Sequence, residues 1–491
     1  MHDPAAKPAG IESRGVLARN ALFLALAQLL STACAVALSA ALGRALGPAE
    51  FGLFFLVTSM AGFAYVVLEW GQTQYVVREI AQQPRREGAL LGTTLAARVL
   101  GTALAAGLTA AVAQALGYDA RTCGLAALFV ATMIPFFLSQ ALSLVFRARE
   151  RMQYDAVAAV VDRALTLAAT LLAIAVGAGV FGAAIAVGVG GLASLLTATV
   201  LLRRLGMPRL SVDHAEAKAM LLGGAAIVLT NVESSVQPYI DAIVLSKLAP
   251  AEAVGWYGAA RTFVGTLVAP AIILSVAAYP RLSRAATVPG ELRRELRLVM
   301  KPLIGLGVLA CVGTFLFAQA AVDLVYGNRG FAAAGTILKV LAPGLLLLFA
   351  DNMLCAAVVA IGRPKPLAFA KLFNIAVCAG LSLLLVPAFQ AERANGGIGL
   401  AIASGVSEVI MLGAALLILP AGSLDLSLLF DLGRALAAGA VTALLFELLP
   451  APPLLVGVPA CVLVFGVLSL AFRLVRPAEL RAFPRLLRRP R

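Results

Sequence analysis

Of the 491 residues, 61% are hydrophobic and only 13% charged, with a mean hydropathy of +0.95. A soluble globule averages about 25% charged residues, so that class is excluded and the chain reads as an all-α integral membrane protein. The net charge of +14 needs no nucleic-acid partner, because the basic residues follow a membrane topology.

In chain order, a polar tail over 1–15 precedes the first apolar run. That run is of full-span length and lacks a clear small-residue cleavage site, which argues against a cleaved signal peptide. A polar turn on Gly47, Pro48 and Glu50 follows. Phe51 to Trp70 is then apolar for about 20 residues, enough to cross a bilayer. Glu69, Trp70 and Gly71 close it, ahead of an amphipathic tail with Arg78 and Glu79. Continued along the chain, the same reading predicts fourteen spans: 20–43, 51–72, 88–116, 122–146, 156–177, 180–202, 219–247, 254–279, 298–324, 331–360, 366–388, 396–419, 432–449 and 453–475.

Charge placement supports that number. With the N-terminus cytoplasmic, roughly 30 of the 39 basic residues fall in inner segments. About five lie outside: Arg44, Arg121, Lys247, Arg329 and Arg393. A missed span would invert every later loop, so both termini are expected inside. The basic C-terminal tail suits anionic lipids of the inner leaflet.

The chain also repeats itself. Leu46-Gly-Pro48-Ala-Glu50 returns as Leu248-Ala-Pro250-Ala-Glu252, and Gly179 to Ala186 returns as Gly397 to Ala403. Tyr118 to Pro135 and Tyr326 to Pro343 have equal separations. Two six-span copies in one orientation imply a pseudo-two-fold along the membrane normal. The expected domains are an N-terminal lobe over 1–205, a C-terminal lobe over 206–420, and two further helices with the basic tail over 421–491. A central cavity is expected between the lobes.

Little lies outside the spans. Arg281–Arg297 looks like an interfacial helix. No outer loop is long enough to fold as a domain, which counts against polymerases, ligases and membrane glycosyltransferases. No phosphate-binding loop is present, so the chain has no ATPase motif. The six cysteines lack metal-ligand spacing and read as packing residues. No metal, cofactor or enzymatic activity is expected.

Several stretches resemble a known family. They are Leu42-Gly-Arg44-Ala-Leu-Gly-Pro-Ala-Glu-Phe-Gly-Leu-Phe-Phe-Leu56, Glu69-Trp70-Gly71 with Val77-Arg-Glu-Ile-Ala81, and Phe146-Arg-Ala-Arg-Glu-Arg-Met-Gln-Tyr154. Pro238 to Ser246, Val254 to Arg261 and Val325-Tyr-Gly327 continue the pattern. Over roughly residues 14–420 the chain resembles Wzx-like flippases of polysaccharide repeats (O-antigen, lipopolysaccharide and exopolysaccharide). These belong to the multidrug/oligosaccharidyl-lipid/polysaccharide (MOP) exporter superfamily. Members often have Asp-Leu-Gly where this chain has Glu69-Trp70-Gly71, which keeps the acid and adds bulk. The resemblance implies transport of a polyprenyl-pyrophosphate-linked oligosaccharide across a bacterial inner membrane, with polymerase and export machinery as further partners. Lipid II flippases and cation-coupled multidrug exporters of the same superfamily are rival readings. A non-transporting scaffold of a polysaccharide assembly complex is a rival from another class.

Four bases fall inside spans: Arg98, Arg163, Arg261 and Lys339. A charge at the centre of a span costs about 2.5–3.5 kcal/mol on insertion scales, so each should face a partner or a wet cavity. Two bases in each lobe suit a pyrophosphate or acidic sugars. The structural alternative is neutralisation by Glu69, Asp162, Glu233, Asp351 or Glu408, which also serve as candidates for ion coupling. Asp241, near an outer end, reads as solvated. Gln28, Asn231, Gln237, Asn352 and Asn374 either line a sugar path or bond between helices.

Overall fold

A computed structural model describes residues 9–288, 290–327, 329–448 and 452–474, with the side chains of 9–22, 24, 25, 226–236 and 238 outside the description. Glu233, Asn231 and most of the basic tail therefore lie outside the described side chains. With no water to satisfy backbone groups in a bilayer, an apolar chain of this kind closes its hydrogen bonds within helices. Among the described residues the elements are α-helices and one 3-10 turn, without strands.

The first unit, Met1–Asn231, contains α1 (Ala9–Glu69), α2 (Gln72–Gln82), α3 (Glu87–Ala115), α4 (Ala120–Thr132), α5 (Ile134–Ala148), α6 (Met152–Ala175) and α7 (Gly179–Arg204). It also holds the start of α8 (His214–Leu248). The second unit, Val232–Arg491, takes the rest of α8, then α9 (Ala251–Ala285), α10 (Glu291–Tyr326), α11 (Ala332–Ala360) and α12 (Pro364–Arg393). It ends with α13 (Gly396–Ile418), α14 (Ser427–Leu448) and α15 (Leu454–Ala471).

Each of the fourteen predicted spans falls on helix. Twelve stretches among the described residues are long and apolar enough to cross a membrane. One of them, Leu26–Gln82, runs for 57 residues and contains the first two predicted spans. Gly47, at φ 74°, breaks α1 between them. The span over 122–146 is divided into α4 and α5 at Thr132–Met133, with Pro135 in the first turn of α5. Pro270, Pro302 and Pro343 lie inside α9, α10 and α11. The outward pattern is that of a lipid-facing surface: Leu104, Phe369, Leu417 and Leu455 are 75, 74, 88 and 82% exposed.

The expected interfacial helix over Arg281–Arg297 does not form. α9 continues to Ala285, Gly290 turns at φ 81°, and Glu291–Arg297 is the start of α10. At 1.5 Å per residue, the 36 residues of α10 exceed a hydrocarbon core of about 30 Å, so its charged turns extend beyond the apolar portion. Arg281 and Glu295 tie the two extensions at 2.7 Å.

Within the first unit, Val76, Leu90, Leu91, Val145, Phe146 and Leu202 form one buried cluster from α2, α3, α5 and α7. In the second unit Leu303, Met353, Leu354, Met411, Ala438 and Phe465 join α10, α11, α13, α14 and α15. The last two helices pack on α10. The repeated glycine motif has a packing reason in both units. A Cβ on Gly182 would lie 2.8 Å from the Cβ of Ala173 on α6, and one on Gly399 would lie 2.4 Å from the carbonyl oxygen of Leu385 on α12. Small residues let the helices close on each other. Gly399→Val is expected to destabilise by about 1–3 kcal/mol through overpacking. Gly405→Ala, with nothing within 4 Å of its Cβ, should be neutral or slightly stabilising. Melting temperatures of the two variants in one detergent check this.

Candidate functional site

α3 carries a polar stripe at helical spacing, Thr94, Arg98 and Thr102, and all three side chains are buried. The threonines satisfy themselves on their own helix: Thr94 Oγ1 donates to the Leu90 carbonyl at 2.7 Å and Thr102 Oγ1 to that of Arg98 at 2.5 Å. Arg98 cannot do this. Its Nη1 donates to the Phe137 carbonyl on α5 at 2.6 Å. Its Nε and Nη2 are enclosed without a hydrogen-bond partner among the described residues, although the residue is only 3% exposed. Tyr65 stacks on Phe137 at 5.2 Å. Tyr65, Glu69 and Arg147 act electrostatically on the guanidinium.

Glu69 has a local task as well. Its two carboxylate oxygens accept from the N–H groups of Gly71 and Thr73 at 2.9 and 2.8 Å, capping the start of α2. This secures a bend in which Trp70 adopts φ 39°. The Trp70 indole N–H donates to the Leu221 carbonyl at 3.0 Å. Glu69 thus builds the bend and offers Arg98 a field rather than a printed hydrogen bond.

Arg163 is placed differently. Its side chain is 47% exposed, and its Nε stands 3.7 Å from Asp162 Oδ2. The pair forms despite the roughly 100° between consecutive helical residues. Asp162 is buried beside Thr166 and Thr170 on one face of α6. Arg98 and Arg163 sit on helices that share α1 and α5 as neighbours, while α3 packs most on α4 and α6 most on α7.

In the second unit the buried centre is Asp241. It was expected to be solvated, but it is 3% exposed, because its face of α8 packs against Tyr257 and Cys378. The Tyr257 hydroxyl, itself fully buried, donates to Asp241 Oδ2 at 3.2 Å. Cys378 Sγ stands 4.0 Å from Oδ1. Arg261, partly buried one turn after Tyr257, interacts electrostatically with Asp241, Tyr257 and Glu408. Lys339 is exposed, with its Nζ 5.9 Å from the Phe315 ring centroid. Asp351 is buried and accepts from the Cys355 thiol at 3.3 Å.

Lys371 lies inside the predicted span over 366–388 and is not among the candidate bases. It is 7% exposed, two turns into α12, which begins at Pro364. With Asn374, Cys378 and Ser382 it forms a buried polar stripe. The spacing of three and four residues was present in the sequence and is the signal that marks this face. Gln237 is buried too, whereas Gln28 bonds Thr32 on its own helix and Asn352 bonds the Leu348 carbonyl. Among the described residues no group of His, Cys, Asp and Glu could hold a metal ion.

Many apolar helices with a few buried charges define a multi-span membrane protein. The family model described as polysaccharide biosynthesis protein matches residues 17–286, more than half of the chain, and the chain belongs to that family. A second model, MatE, matches residues 226–383. No curated protein matches significantly. Among solved structures, the chain is similar to the lipid II flippase MurJ in an inward closed conformation, at a TM-score of 0.71 and 13% identity, covering 92% of this chain and 99% of that one. It is also similar to an inward-facing multidrug resistance MATE family transporter of the MOP superfamily, at 0.66 and 16%, covering 79% and 94%. The fold is therefore that of the MOP transporters, in agreement with the resemblance carried by the motifs.

Proposed function

We propose that this chain is a flippase that moves a polyprenyl-pyrophosphate-linked oligosaccharide from the cytoplasmic to the outer leaflet of a bacterial inner membrane by alternating access. Both termini are cytoplasmic in this reading, with lobes over 1–205 and 206–420 and two added helices over 421–491. The observation that carries it is Arg98: a buried guanidinium with two N–H-bearing nitrogens unpartnered among the described residues. A buried charge left so is unfavourable by several kcal/mol, and a phosphate oxygen pair is the group whose geometry matches that fork. Membership of a polysaccharide biosynthesis family supports a saccharide cargo.

The polyprenyl tail is at home in lipid, so only the head group needs a protected path. Arg98 makes first capture of the pyrophosphate, helped by Arg163, while Arg261 and Lys339 receive it later. The acids temper these contacts so that release stays fast: Glu69 acts on Arg98, Asp162 on Arg163, and Asp241 and Glu408 on Arg261. Asp351 and Glu233 are the remaining acids of the proposed path. An ion gradient, the membrane potential, or consumption of the product outside supplies the drive.

Proteoliposomes holding the purified chain and a short lipid-linked saccharide test the reading. Accessibility of the saccharide to an external glycan-modifying reagent should rise with time only where the chain is present. Movement of lipid II alone would favour a lipid II flippase, and dye efflux without saccharide movement a multidrug exporter.

A further inference from the structure

We propose that the first unit carries a second anion site, apart from Arg98, which binds a phosphate-bearing ligand at the end of the spans. The site is a cleft of about 660 Å³ where the α2–α3, α5–α6 and α7–α8 connections meet. Its lining includes Ile80, Pro84, Arg85, Glu87, Arg149 and Arg209.

The cleft exists because the α7–α8 connection is stitched down on the start of α3. The Ser211 N–H donates to the Gly88 carbonyl at 3.3 Å, and the Asp213 N–H to Thr93 Oγ1 at 3.0 Å. A Cβ on Gly88 would meet the Arg209 carbonyl oxygen at 2.1 Å, and one on Gly92 that of Ser211 at 2.3 Å. Two glycines one turn apart thus permit a contact that any side chain would block. This places Arg209 in the same cleft lining as Arg85.

The charges are arranged asymmetrically. Glu87 is the one acid in the lining, and Arg149 grips both of its oxygens. Arg149 also donates to the Leu205 and Gly206 carbonyls at 3.2 and 3.1 Å, which closes the end of α7. That acid and that arginine therefore neutralise each other. Neighbouring Arg86 is likewise committed, gripping Glu216 at 2.8 and 2.7 Å. Glu216 and Glu79 hold its guanidinium above its ordinary value.

Arg85 and Arg209 remain. Both are exposed, and among the described residues neither forms an ion pair or a side-chain hydrogen bond. Two guanidinium forks over one opening suit a phosphate, which accepts from both. Ile80, Ala81, Pro84, Ala148 and Pro208 add apolar wall beside them. A lipid headgroup would use that wall as well as the charges, whereas a free phosphate or pyrophosphate would use only the charges.

Binding of fluorescent phosphatidylglycerol to the purified full chain in a neutral detergent tests the site, with unlabelled competitors. Saturable binding is expected, displaced by unlabelled phosphatidylglycerol and not by phosphatidylcholine. Arg85→Gln with Arg209→Gln should weaken it by about 25-fold, at about five-fold for each arginine near a membrane surface. Arg203→Gln with Arg204→Gln, outside the cleft lining, should bind as the parent does. Displacement by inorganic pyrophosphate as readily as by the lipid would support the site with a soluble anion as occupant. Failure of pyrophosphate to compete would support a lipid headgroup. Unchanged binding in the Arg85 and Arg209 variant, or an equal loss in the Arg203 and Arg204 variant, would overturn the proposal. If the double variant loses its monodisperse elution peak, Arg85→Lys and Arg209→Lys decide instead. Each should bind about three-fold more weakly for want of the fork, and parental binding by both would overturn the site.

Discussion

Arg98→Ala is expected to lower the rate of saccharide translocation by roughly 30- to 5,000-fold, the range for removing one partner of a buried charged contact of about 2–5 kcal/mol. Its effect on folding should be opposite in character. Among the described residues the Arg98 side chain makes one hydrogen bond, to Phe137, and leaves Nε and Nη2 unpartnered. Removing an incompletely compensated buried charge relieves a desolvation penalty. The melting temperature should therefore stay level or rise while transport fails. Arg98→Lys should recover part of the rate, because charge returns without the fork. Arg163→Ala should also slow transport, by less, since its side chain is half-exposed and already near Asp162. Parental rates in both alanine variants would make these arginines structural. Initial rates in proteoliposomes, paired with thermal melts, provide the measurement.

The second large effect lies in the other unit and has the reverse signature. Asp241→Ala removes the acceptor of the buried Tyr257 hydroxyl and one of the acids acting on Arg261. Breaking a buried charged cluster by deleting one partner costs about 3–5 kcal/mol. Tyr257→Phe removes one hydrogen bond and should cost about 1 kcal/mol. The Asp241→Ala chain should melt well below the parent, and Arg261→Gln in that background should restore part of the loss. A melt of Asp241→Ala indistinguishable from the parent would show that the cluster contributes nothing to stability. Under the proposed function, Arg98 and Asp241 would separate two uses of charge in a membrane: one held partly unpartnered for cargo, one engaged in packing.

Most of the fold was legible in the sequence because the bilayer leaves few choices. Twenty apolar residues must be a helix, and the predicted spans fall on helix from α1 to α15. What the apolar pattern does not encode is where a helix stops beyond the bilayer. Glu291–Arg297 looked separate because it is charged, yet the helix runs on through Pro302 into the apolar part of α10. Lys371 and Asp241 lie within the predicted spans over 366–388 and 219–247, but hydropathy does not say that each would be buried against neighbouring helices. The candidate site was partly legible. A span arginine such as Arg98 announces itself by cost alone. The Phe137 carbonyl that it contacts lies 39 residues away in the chain, and no periodicity connects them. Glu69 was visible as an acid beside a bend, but its capping of Gly71 and Thr73 depends on backbone geometry at Trp70.

The most direct measurement is of lipid-linked intermediates in a strain lacking this chain. The proposed function predicts that polyprenyl-linked oligosaccharide accumulates on the cytoplasmic leaflet, that a surface polysaccharide disappears, and that the parental chain restores both. Normal surface polysaccharide with no accumulated intermediate would contradict it, and heightened dye sensitivity in the same strain would point to drug export instead.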